Sequence, residues 1–462
     1  MTGLQRSSPA PTPVTEEDLA TRTLHKVSAR LIPFLFLLYV VCFLDRVNVG
    51  FAALRMNHDL RLGDGVYGFG AGIFFIGYAL FEVPSNLLLA RVGARRWIAR
   101  IMLSWGVLAS AMMFTRGPLS FYVLRFLVGV AEAGFFPGII FYLSEWFPAR
   151  ERARAISRFM TAIPISGLIG GPLSGALLGL DGNLGLHGWQ WLFLLEGIPS
   201  VMLGFVVLWY LPDRPTDARW LTAQERTWLS RQLDAEHAAV EQRHGATVLG
   251  ALRSGTVWQL ALMVFAGVGL GQYALALWLP QIVRSFGGLS DFMVGVATAL
   301  PYLVAAVAMV AVGAHSDGRG ERCLYIAGAS AAAAIGFTAS AFVHSFPLIL
   351  VSLSVALAGL WSFHGPFWTL PSQFLTGSAA AGGIAVINTM SALSGFVGPF
   401  VVGLLKGASG DFRTGFLMLA LASLVGAGMA LALRRSPRLS STAPSTAALT
   451  AVASHDDGPA LP

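Results

Sequence analysis

The chain contains a series of apolar segments that are long enough to cross a lipid bilayer. A helix rises 1.5 Å per residue, so about 20 consecutive apolar residues span the hydrocarbon core. Twelve segments meet this requirement, and we number them span 1 to span 12 in chain order. Their approximate ranges are 31–54, 68–90, 97–115, 119–141, 155–180, 189–211, 257–283, 291–314, 322–342, 346–370, 379–405 and 411–433. The pattern predicts an all-α polytopic membrane protein with twelve transmembrane helices.

Composition supports this fold class and argues against others. Of the 462 residues, 55% are hydrophobic and only 12% are charged, about half the share that soluble domains carry. The net charge of +7 has no compact basic domain behind it, so we expect no nucleic-acid partner. Cys42 and Cys323 lie within or beside spans, which gives no support for a disulfide or a metal site. We expect no cofactor.

One long polar stretch, residues 212–256, divides the spans into two groups of six. The predicted organisation is a six-helix bundle over 31–211, a cytoplasmic linker over 212–256 and a second six-helix bundle over 257–433. Thr222 and Glu225 form a capping-box pattern that predicts the start of an amphipathic linker helix. Residues 1–30 and 434–462 are predicted to be disordered cytoplasmic tails, and no cleavable signal peptide is visible.

Basic residues indicate the orientation, because cytoplasmic loops are enriched in lysine and arginine. With twelve spans both termini lie on one side. The short loops of that side hold Arg91, Arg95, Arg96, Arg150, Arg152, Arg154, Arg319 and Arg322. The loops of the other side hold Arg55, Arg61, Arg116, Arg284, Lys406 and Arg413. Further basic residues flank the ends, so both termini are predicted to be cytoplasmic, in a plasma membrane of the bacterial inner-membrane type.

The two groups of spans repeat at a constant offset in residue number. The turn NLLLARVGAR after span 2 matches GAHSDGRGER after span 8, so that Gly93 aligns with Gly320, and Gly171-Pro172 matches Gly398-Pro399. The separation along the chain is the same for both matches, and we call it the repeat offset. A constant register at separate landmarks indicates two homologous halves in parallel order. In membrane transporters this arrangement places the binding site between the halves, near the middle of the bilayer.

These turns, together with GLIGGPLSG on span 5, resemble motifs of the major facilitator superfamily, and the resemblance covers nearly the whole chain. Four more strings are similar to the anion:cation symporter family within it. They are FLDRVNVGFA, VLRFLVGVAEAGFFPG, LPDRPTDARWLTAQER and GPFWTLPSQFL. The resemblance implies a transporter of the group that carries tartrate, hydroxyphenylacetate, phthalate and sugar acids.

Charged residues inside the spans are costly and call for a reason. Asp45 and Arg46 lie on span 1, Arg125 and Glu132 on span 4, and Glu82 on span 2. All five are in the first half, and their repeat equivalents are not charged: Asp45 maps to Gln272, Arg46 to Tyr273, Arg125 to Ser352 and Glu132 to Gly359. This asymmetry favours chemistry over a purely structural role.

The four charges on spans 1 and 4 predict a proton-linked anion site. A guanidinium can bind a carboxylate in a bidentate manner, so Arg46 and Arg125 are candidate substrate ligands, and Asp45 and Glu132 are candidate proton carriers. We expect Arg125 to pair with Asp45 or Glu132 when no proton is bound. The alternative is that the charges are ion pairs that only hold spans 1 and 4 together. The family resemblance implies corresponding roles for these four positions.

Other polar side chains are weaker candidates for the same site. Tyr78, Gln272, Tyr273 and Asn388 are each expected to contact substrate or, alternatively, to be satisfied within the core. Trp361 and Trp368 share a face of span 10, at a spacing typical of a core stripe. If they line the cavity, a ring-bearing acid becomes a more plausible substrate.

The two repeated turns suggest gating residues at the cytoplasmic ends of the spans. Arg91 and Arg95 in the first turn, and Asp317 and Arg322 in the second, are expected to pair across the halves and latch one conformation.

The function predicted is proton-coupled uptake of a small organic carboxylate, with tartrate-like acids first, by a monomer in the lipid bilayer. An exporter or exchanger on the same fold is the alternative, and a transporter-derived sensor is a further one. No nucleotide-binding loop, zinc spacing or nucleophile motif is present in the sequence, so we expect no enzyme activity. Sodium in place of protons stays open.

Overall fold

A computed structural model of the protein describes residues 16–241, 253–371 and 377–435. In those ranges all regular secondary structure is helical, and twelve helices are long and apolar enough to cross a membrane. They are Glu16–Asp59, Asp64–Val92, Ala94–Phe114, Pro118–Ser144, Glu151–Leu178, Gly188–Tyr210, Gly255–Ser285, Asp291–Arg319, Cys323–Phe342, Phe346–Trp368, Gly382–Ser409 and Arg413–Arg434. These helices correspond in order to spans 1–12, so the predicted fold class is confirmed.

The repeat in the sequence is also a repeat in packing. Span 3 packs along span 6 in the first half, and span 9 packs along span 12 in the second. Likewise, span 2 contacts span 4 while span 8 contacts span 10. The same contacts thus recur after a shift of six spans, which gives two bundles of one design.

The halves meet along spans 2 and 11, spans 5 and 8, and spans 1 and 7. We call the membrane side that carries residues 212–241 the linker side, and the other the far side. Close approach on the far side depends on glycine. A Cβ built on Gly171 would lie 2.3 Å from the carbonyl oxygen of Gly295, and one on Gly68 would lie 2.7 Å from that of Pro399. Any larger residue there would push the halves apart.

Polar contacts also join the halves on the far side. The Arg55 guanidinium is 2.7 Å from the Asp291 carboxylate, and Lys406 Nζ is 2.7 Å from Asp64 Oδ1. The Tyr67 hydroxyl donates to the carbonyl oxygen of Leu277 at 2.7 Å. Glycine contacts and ion pairs together close the far side in this structure.

The two repeated turns are built as expected at the backbone but pair differently from the prediction. Gly93 and Gly320, which are repeat equivalents, have φ values of 97° and 65°, a region that favours glycine. Arg95 contacts Asp213, and Arg322 Nη1 lies 2.5 Å from Asp317 Oδ1. Arg95 thus pairs with the start of the linker, and Arg322 pairs within the second half. Among the described residues neither makes the expected contact across the halves, which meet closely on the far side instead.

The linker begins as the capping box predicts. The Thr222 amide donates to Glu225 Oε2 at 2.8 Å, and the Glu225 amide donates to Thr222 Oγ1 at 3.3 Å, at the start of the helix Ala223–Glu241. Lys26 Nζ donates to Glu225 Oε1 at 2.6 Å, which docks this helix on the first half. The remaining linker residues, 242–252, lie outside the described residues.

The two tails differ in what the structure describes. Residues 16–30 were predicted to be disordered, but they are the first turns of span 1. Three acidic residues in the first turn favour a helix start, because they face the positive end of the helix dipole. Residues 1–15 and 436–462 lie outside the described residues.

Candidate substrate and proton site

Span 4 is interrupted at the level of its predicted acid. The helix Pro118–Glu132 ends at Ala133, and Gly134 has a φ of 86° before the helix resumes as Phe135–Ser144. A Cβ built on Gly134 would lie 2.4 Å from Ser85 Oγ, so the break also allows close packing on span 2. Glu132 therefore sits at a helix C-terminus, where the dipole disfavours a negative charge unless a cation or a proton balances it.

That cation is Arg46. Arg46 Nε donates to Glu132 Oε1 at 3.0 Å, and an Nη atom contacts the same oxygen. The Arg46 side chain is 13% exposed while that of Glu132 is fully buried. The guanidinium also lies over the rings of Phe74 and Tyr78, at 5.7 and 5.4 Å from their centroids. The charge of Arg46 is thus balanced by the buried Glu132, while part of the Arg46 side chain remains exposed.

The two oxygens of Glu132 have different surroundings. Oε1 accepts from Arg46 and from Cys42 Sγ, the latter at 3.3 Å. Oε2 is buried and, among the described residues, has no hydrogen-bond partner. A buried oxygen that lacks a donor is the atom at which a proton is most readily accommodated.

Arg125 forms no ion pair with an acid among the described residues, in contrast to the prediction. Its Nη2 donates to the carbonyl oxygen of Ala71 at 3.1 Å, and its guanidinium lies 4.9 Å from the ring centroid of Phe74. Arg125 is 2% exposed. Phe74 therefore stands between the two arginines, and Arg46 takes the acid on span 4 because it approaches that acid from the neighbouring helix.

Asp45 points away from its neighbour Arg46. Its Oδ2 accepts from Trp105 Nε1 at 2.8 Å and from Ser200 Oγ at 2.6 Å. These donors belong to spans 3 and 6, so the carboxyl lies inside the first half. The two predicted proton carriers consequently occupy separate surroundings.

A cavity opens between the halves in front of Arg46. Its walls come from spans 1, 2, 7, 8 and 10. The lining residues are Phe43, Arg46, Val47, Phe75, Gln272, Tyr273, Ala276, Leu277, Tyr302, Leu357 and Trp361. Arg46 is the charged member of this set, and most of the others are aromatic or aliphatic. Of the six predicted substrate ligands, Arg46, Gln272 and Tyr273 line the cavity.

The second half presents its polar groups from irregular helices. Span 7 contains a π-helical turn at Phe265–Gly269, shortly before Gln272, and such turns are frequent at functional sites. Gln272 Oε1 lies 2.7 Å from His364 Nε2 on span 10. Tyr273 packs on Phe75 across the halves, with ring centroids 4.4 Å apart. Trp361 Nε1 has no hydrogen-bond partner among the described residues, which leaves a donor at the cavity wall.

Two further candidates are not among the residues of the cavity wall. Tyr78 is buried under the Arg46 guanidinium. Asn388 is partly exposed on span 11 and is not among the lining residues. The sequence did not distinguish these two positions from the lining residues, because it does not fix the rotation of a helix about its own axis in the bundle.

Several residues that shape the site have no motif of their own. Trp105, Ser200, Ser174 and Glu196 surround the inner polar pocket of the first half. The sequence contains a signal for Glu196, because it is an acid within the apolar span 6, like the other charges inside the spans. Asp64 and Asp291 were identifiable as well, since they are separated by the repeat offset.

A cavity between two homologous bundles, with the Arg46–Glu132 ion pair at its wall and close contacts between the halves on the far side, is the arrangement of a membrane transporter. The profile of the Major Facilitator Superfamily matches residues 35–399, and the chain belongs to that family. A candidate tartrate transporter of Agrobacterium vitis is 50% identical over 90% of this chain and 96% of its own length. A quinolone resistance transporter of Acinetobacter baumannii is 43% identical over 88% and 94%.

Solved structures agree on the fold. A bacterial homologue of the human lysosomal transporter Spinster, in an inward-facing and occupied conformation, has a TM-score of 0.72 at 17% identity. The match covers 88% of this chain and 97% of that one. At this identity the likeness concerns architecture alone.

Proposed function

We propose that the protein takes up a small organic carboxylate together with protons, by alternating access across a bacterial inner membrane. Tartrate or a related hydroxy, sugar or aromatic acid is the proposed substrate. The linker side is the cytoplasmic side in this proposal, so that the far side faces outward. The support is the excess of basic residues in the linker-side loops and the identity to the relative from Agrobacterium vitis.

The observation that carries the proposal is the contact between Arg46 and Glu132 at the cavity. A substrate carboxylate and Glu132 compete for the same guanidinium. When Glu132 takes a proton it loses its charge, and Arg46 becomes free to bind the substrate in a bidentate manner. When the proton leaves, Glu132 again forms an ion pair with Arg46, and the affinity for the substrate falls. Proton and anion binding are thereby linked through one arginine.

Alternating access then gives this linkage a direction. In the outward-open state, the proton reaches Glu132 and the anion binds Arg46. The halves rock, the far side closes through Gly171 and Gly295, and the substrate leaves to the cytoplasm. Proton release restores the Arg46–Glu132 pair, which is the arrangement observed together with a closed far side. Arg125 adds a second positive charge behind Phe74 that favours an anion in the cavity.

The cavity wall bears on the substrate class. It consists of one guanidinium, from Arg46, together with Gln272, Tyr273, Tyr302 and Trp361 among otherwise apolar residues, and most of its exposed surface is apolar. Such a site binds one carboxylate strongly and has aromatic faces for a ring. Because Trp361 lines the cavity, ring-bearing acids are proposed as candidates beside tartrate-like acids.

The remaining predicted roles stay part of the proposal. Arg91, Arg95, Asp317 and Arg322 are proposed to stabilise the linker-side turns in the conformation opposite to the one observed. The chain is proposed to work as a monomer, since each chain contains both halves of the cavity.

Reconstituted vesicles test the proton step. Glu132→Gln cannot release a proton, so it is expected to lose uptake driven by a pH gradient while it retains exchange of labelled against unlabelled substrate. Glu236 lies on the linker helix and forms an ion pair with Arg152, at the start of span 5. Glu236→Gln is the matched control and should behave as wild type. If Glu132→Gln lost exchange as completely as driven uptake, the assignment of Glu132 as proton carrier would be wrong.

Export or exchange on the same fold is the second candidate, and the identity to the quinolone resistance transporter favours it. The two directions separate in vesicles with an imposed pH gradient. Symport moves labelled acid in the same direction as protons, whereas proton-driven export moves it in the opposite direction. A thermal-shift screen against tartrate and aromatic monocarboxylates would select the label.

A further inference from the structure

We infer that the first half contains a second proton-binding centre, formed by the carboxyl groups of Asp45 and Glu196, which holds one proton between them. It deepens the proposed function, because it would supply a proton site separate from the substrate cavity. The centre lies among spans 1, 3, 5 and 6, on a face of span 1 different from that of Arg46.

The two acids are held by neutral donors. Asp45 Oδ2 accepts from Trp105 and Ser200 at 2.8 and 2.6 Å, and Glu196 Oε1 accepts from Ser174 Oγ at 2.8 Å. Glu196 and Ser200 are one helical turn apart on span 6, so they share a face. The donor to one acid therefore lies directly beside the other acid.

Both carboxyl groups are buried, and in each of them one oxygen accepts no hydrogen bond among the described residues. Asp45 is 2% exposed and Glu196 is 4% exposed. Asp45 Oδ1 and Glu196 Oε2 have no partner within hydrogen-bond distance in the described part of the chain. The buried amide of Asn48, one turn beyond Asp45 on span 1, faces the Glu196 carboxyl, but its nitrogen does not complete a hydrogen bond there. These unpartnered atoms are what a shared proton, with its hydrogen bond, would satisfy.

No cation balances the pair among the described residues. Lys, Arg and His side chains make no ion pair with Asp45 or Glu196 there, in contrast to Glu132 with Arg46. Two ionised carboxylates in one low-dielectric pocket are strongly disfavoured by desolvation and mutual repulsion. At least one carboxyl is therefore expected to be protonated at neutral pH. Asp45 has two donors within hydrogen-bond distance, whereas Glu196 has one, together with the more remote Asn48 amide. The charge is therefore assigned to Asp45 and the proton to Glu196.

Other titratable groups near the pocket do not alter this assignment. On span 1, Cys42 and Arg46 are engaged with Glu132, and Tyr39 packs on Phe135. The basic residues of span 3 lie at its linker-side end, the first turns of Ala94–Ala111. Span 5 faces the pocket with Ser174 and has no titratable side chain within Ala162–Leu178. The other titratable side chain of span 6 is Tyr210, at the linker-side end.

Span 1 connects this centre to the cavity. Asp45 and Arg46 are adjacent residues of one helix that face different pockets, about 100° apart around the helix axis. A change in the charge of the inner pocket therefore acts on the element that carries the substrate ligand. Loss of the shared proton would leave two negative charges beside span 1 and favour a rearrangement of that helix. The proton centre thus acts through Arg46 without touching substrate.

Infrared spectroscopy of the purified full chain at neutral pH tests the inference without transport. The Glu196→Gln minus wild-type difference spectrum is expected to show loss of a protonated-carboxyl carbonyl band. Glu236→Gln, the surface control, should leave the protonated-carboxyl band in place. Glu196→Asp should keep a protonated carboxyl at an altered frequency, which preserves the test if the glutamine variant fails to fold. If Glu196→Gln removes only ionised-carboxylate absorption, or Glu196→Asp leaves the protonated band unmoved, the inference is overturned.

Transport separates this inference from the proposed function. In vesicles, Glu196→Gln is expected to keep proton-driven uptake but to move one proton fewer per substrate than wild type, while Glu132→Gln loses driven uptake. An unchanged proton-to-substrate ratio in Glu196→Gln would contradict a transported proton at this centre. Absence of carboxylate uptake by wild type, together with a protonated Glu196 in the infrared spectrum, would contradict the proposed function alone.

Discussion

The two halves share a scaffold but differ in their chemistry. The first half has Asp45, Arg46, Arg125, Glu132 and Glu196 within its spans, and all of them are buried or nearly so. The second half lines the same cavity with an amide, aromatic rings and aliphatic side chains. One bundle is therefore proposed to manage charge and protons, while the other shapes the wall around the substrate.

Packing shows why the charges are not shared. Gly359 stands where the repeat would place a second Glu132, and a Cβ there would lie 2.5 Å from the carbonyl oxygen of Ala329. Ser352, the equivalent of Arg125, bonds to the carbonyl oxygen of Leu348 in its own helix. Ser423, the equivalent of Glu196, does the same with Leu419. These positions in the second half serve tight helix packing, which leaves no room for an ion pair.

The far side shows the opposite behaviour, because the repeat is retained there. Asp64 and Asp291 begin spans 2 and 8, are separated by the repeat offset, and each pairs with a cation from the other half. Closure of the far side is thus built symmetrically, whereas the site in the middle is not.

The largest effect is expected from Arg46 and its repeat equivalent Tyr273. Arg46→Ala leaves Glu132 buried without its cation and removes the guanidinium that binds the substrate carboxylate. The expected loss of binding free energy is about 2–5 kcal/mol, which lowers uptake by roughly 30- to 1,000-fold or more. Tyr273→Phe removes one hydroxyl from the wall and should cost about tenfold or less. Initial uptake rates in vesicles measure both. Equal effects would show that the halves do not divide the work as described.

The next largest effect is expected at Gly171 and its repeat equivalent Gly398. Gly171→Val would collide with span 8 of the other half, prevent far-side closure and reduce uptake by about 5- to 100-fold. Gly398→Val meets the Leu270 carbonyl within its own half, so it should mainly lower the thermal stability of the second bundle.

Labelling of cysteines introduced on the far side tests the prediction for Gly171→Val. Gly171→Val should raise accessibility there, whereas Gly328→Ala, at a glycine with open space around it, is the control and should change nothing. Unaltered accessibility in Gly171→Val would mean that this crossing does not govern closure.

A smaller effect separates the two far-side aspartates. Asp291→Asn weakens contacts with both Arg55 and Arg284, and the Asp291 side chain is only 5% exposed. Asp64→Asn affects one contact, with Lys406, at a side chain that is 30% exposed. We expect an increase in far-side labelling of about fivefold for Asp291→Asn and about twofold or less for Asp64→Asn, since exposed ion pairs contribute up to about 1 kcal/mol. The reverse order would contradict burial as the cause.

The smallest effect is expected where the linker helix docks on the first half alone. Burial raises the pKa of the Glu225 carboxyl, but hydrogen bonds from Lys26 and Thr222 outweigh it and leave the pKa below its ordinary value. Its stabilisation is therefore present above about pH 4.3 and is lost as pH falls through the lowered pKa. Glu225→Gln should reduce the melting temperature by about 1–2 °C at pH 7.

The same variant has a built-in control in pH. Wild type and Glu225→Gln should converge in melting temperature in strongly acidic buffer, where Glu225 is protonated in both the folded and the unfolded chain. A difference that persists at low pH would mean that the linker contact is not electrostatic.

Much of the architecture was readable from the sequence. Segment length and polarity identified twelve spans because a bilayer imposes both, and the constant repeat offset identified the halves. The turn glycines Gly93 and Gly320 followed from the repeat and adopt positive φ. Arg46 was identified as a cavity residue because a charge within an apolar span needs a polar surface to face.

The errors concern contacts between helices. The sequence offered Arg125 as the partner of an acid, whereas the structure pairs Arg46 with Glu132. It placed Asp45 beside the substrate, but Asp45 faces Trp105 and Ser200. Depth in the membrane can be estimated from residue number, but the rotation of a helix about its axis depends on packing with several neighbours.

By itself, the sequence determined which protein class this chain belongs to, how many times it crosses the membrane and which residues carry charge there, because these depend on length, polarity and repeat. Only the tertiary structure decided that Arg46 and Asp45 face different pockets, that Glu196 joins the second of these, and that the far side is closed through glycine crossings. Those outcomes depend on how helices pack against one another, and adjacent residues on one helix turn to different neighbours by about 100°, as 3.6 residues per turn require.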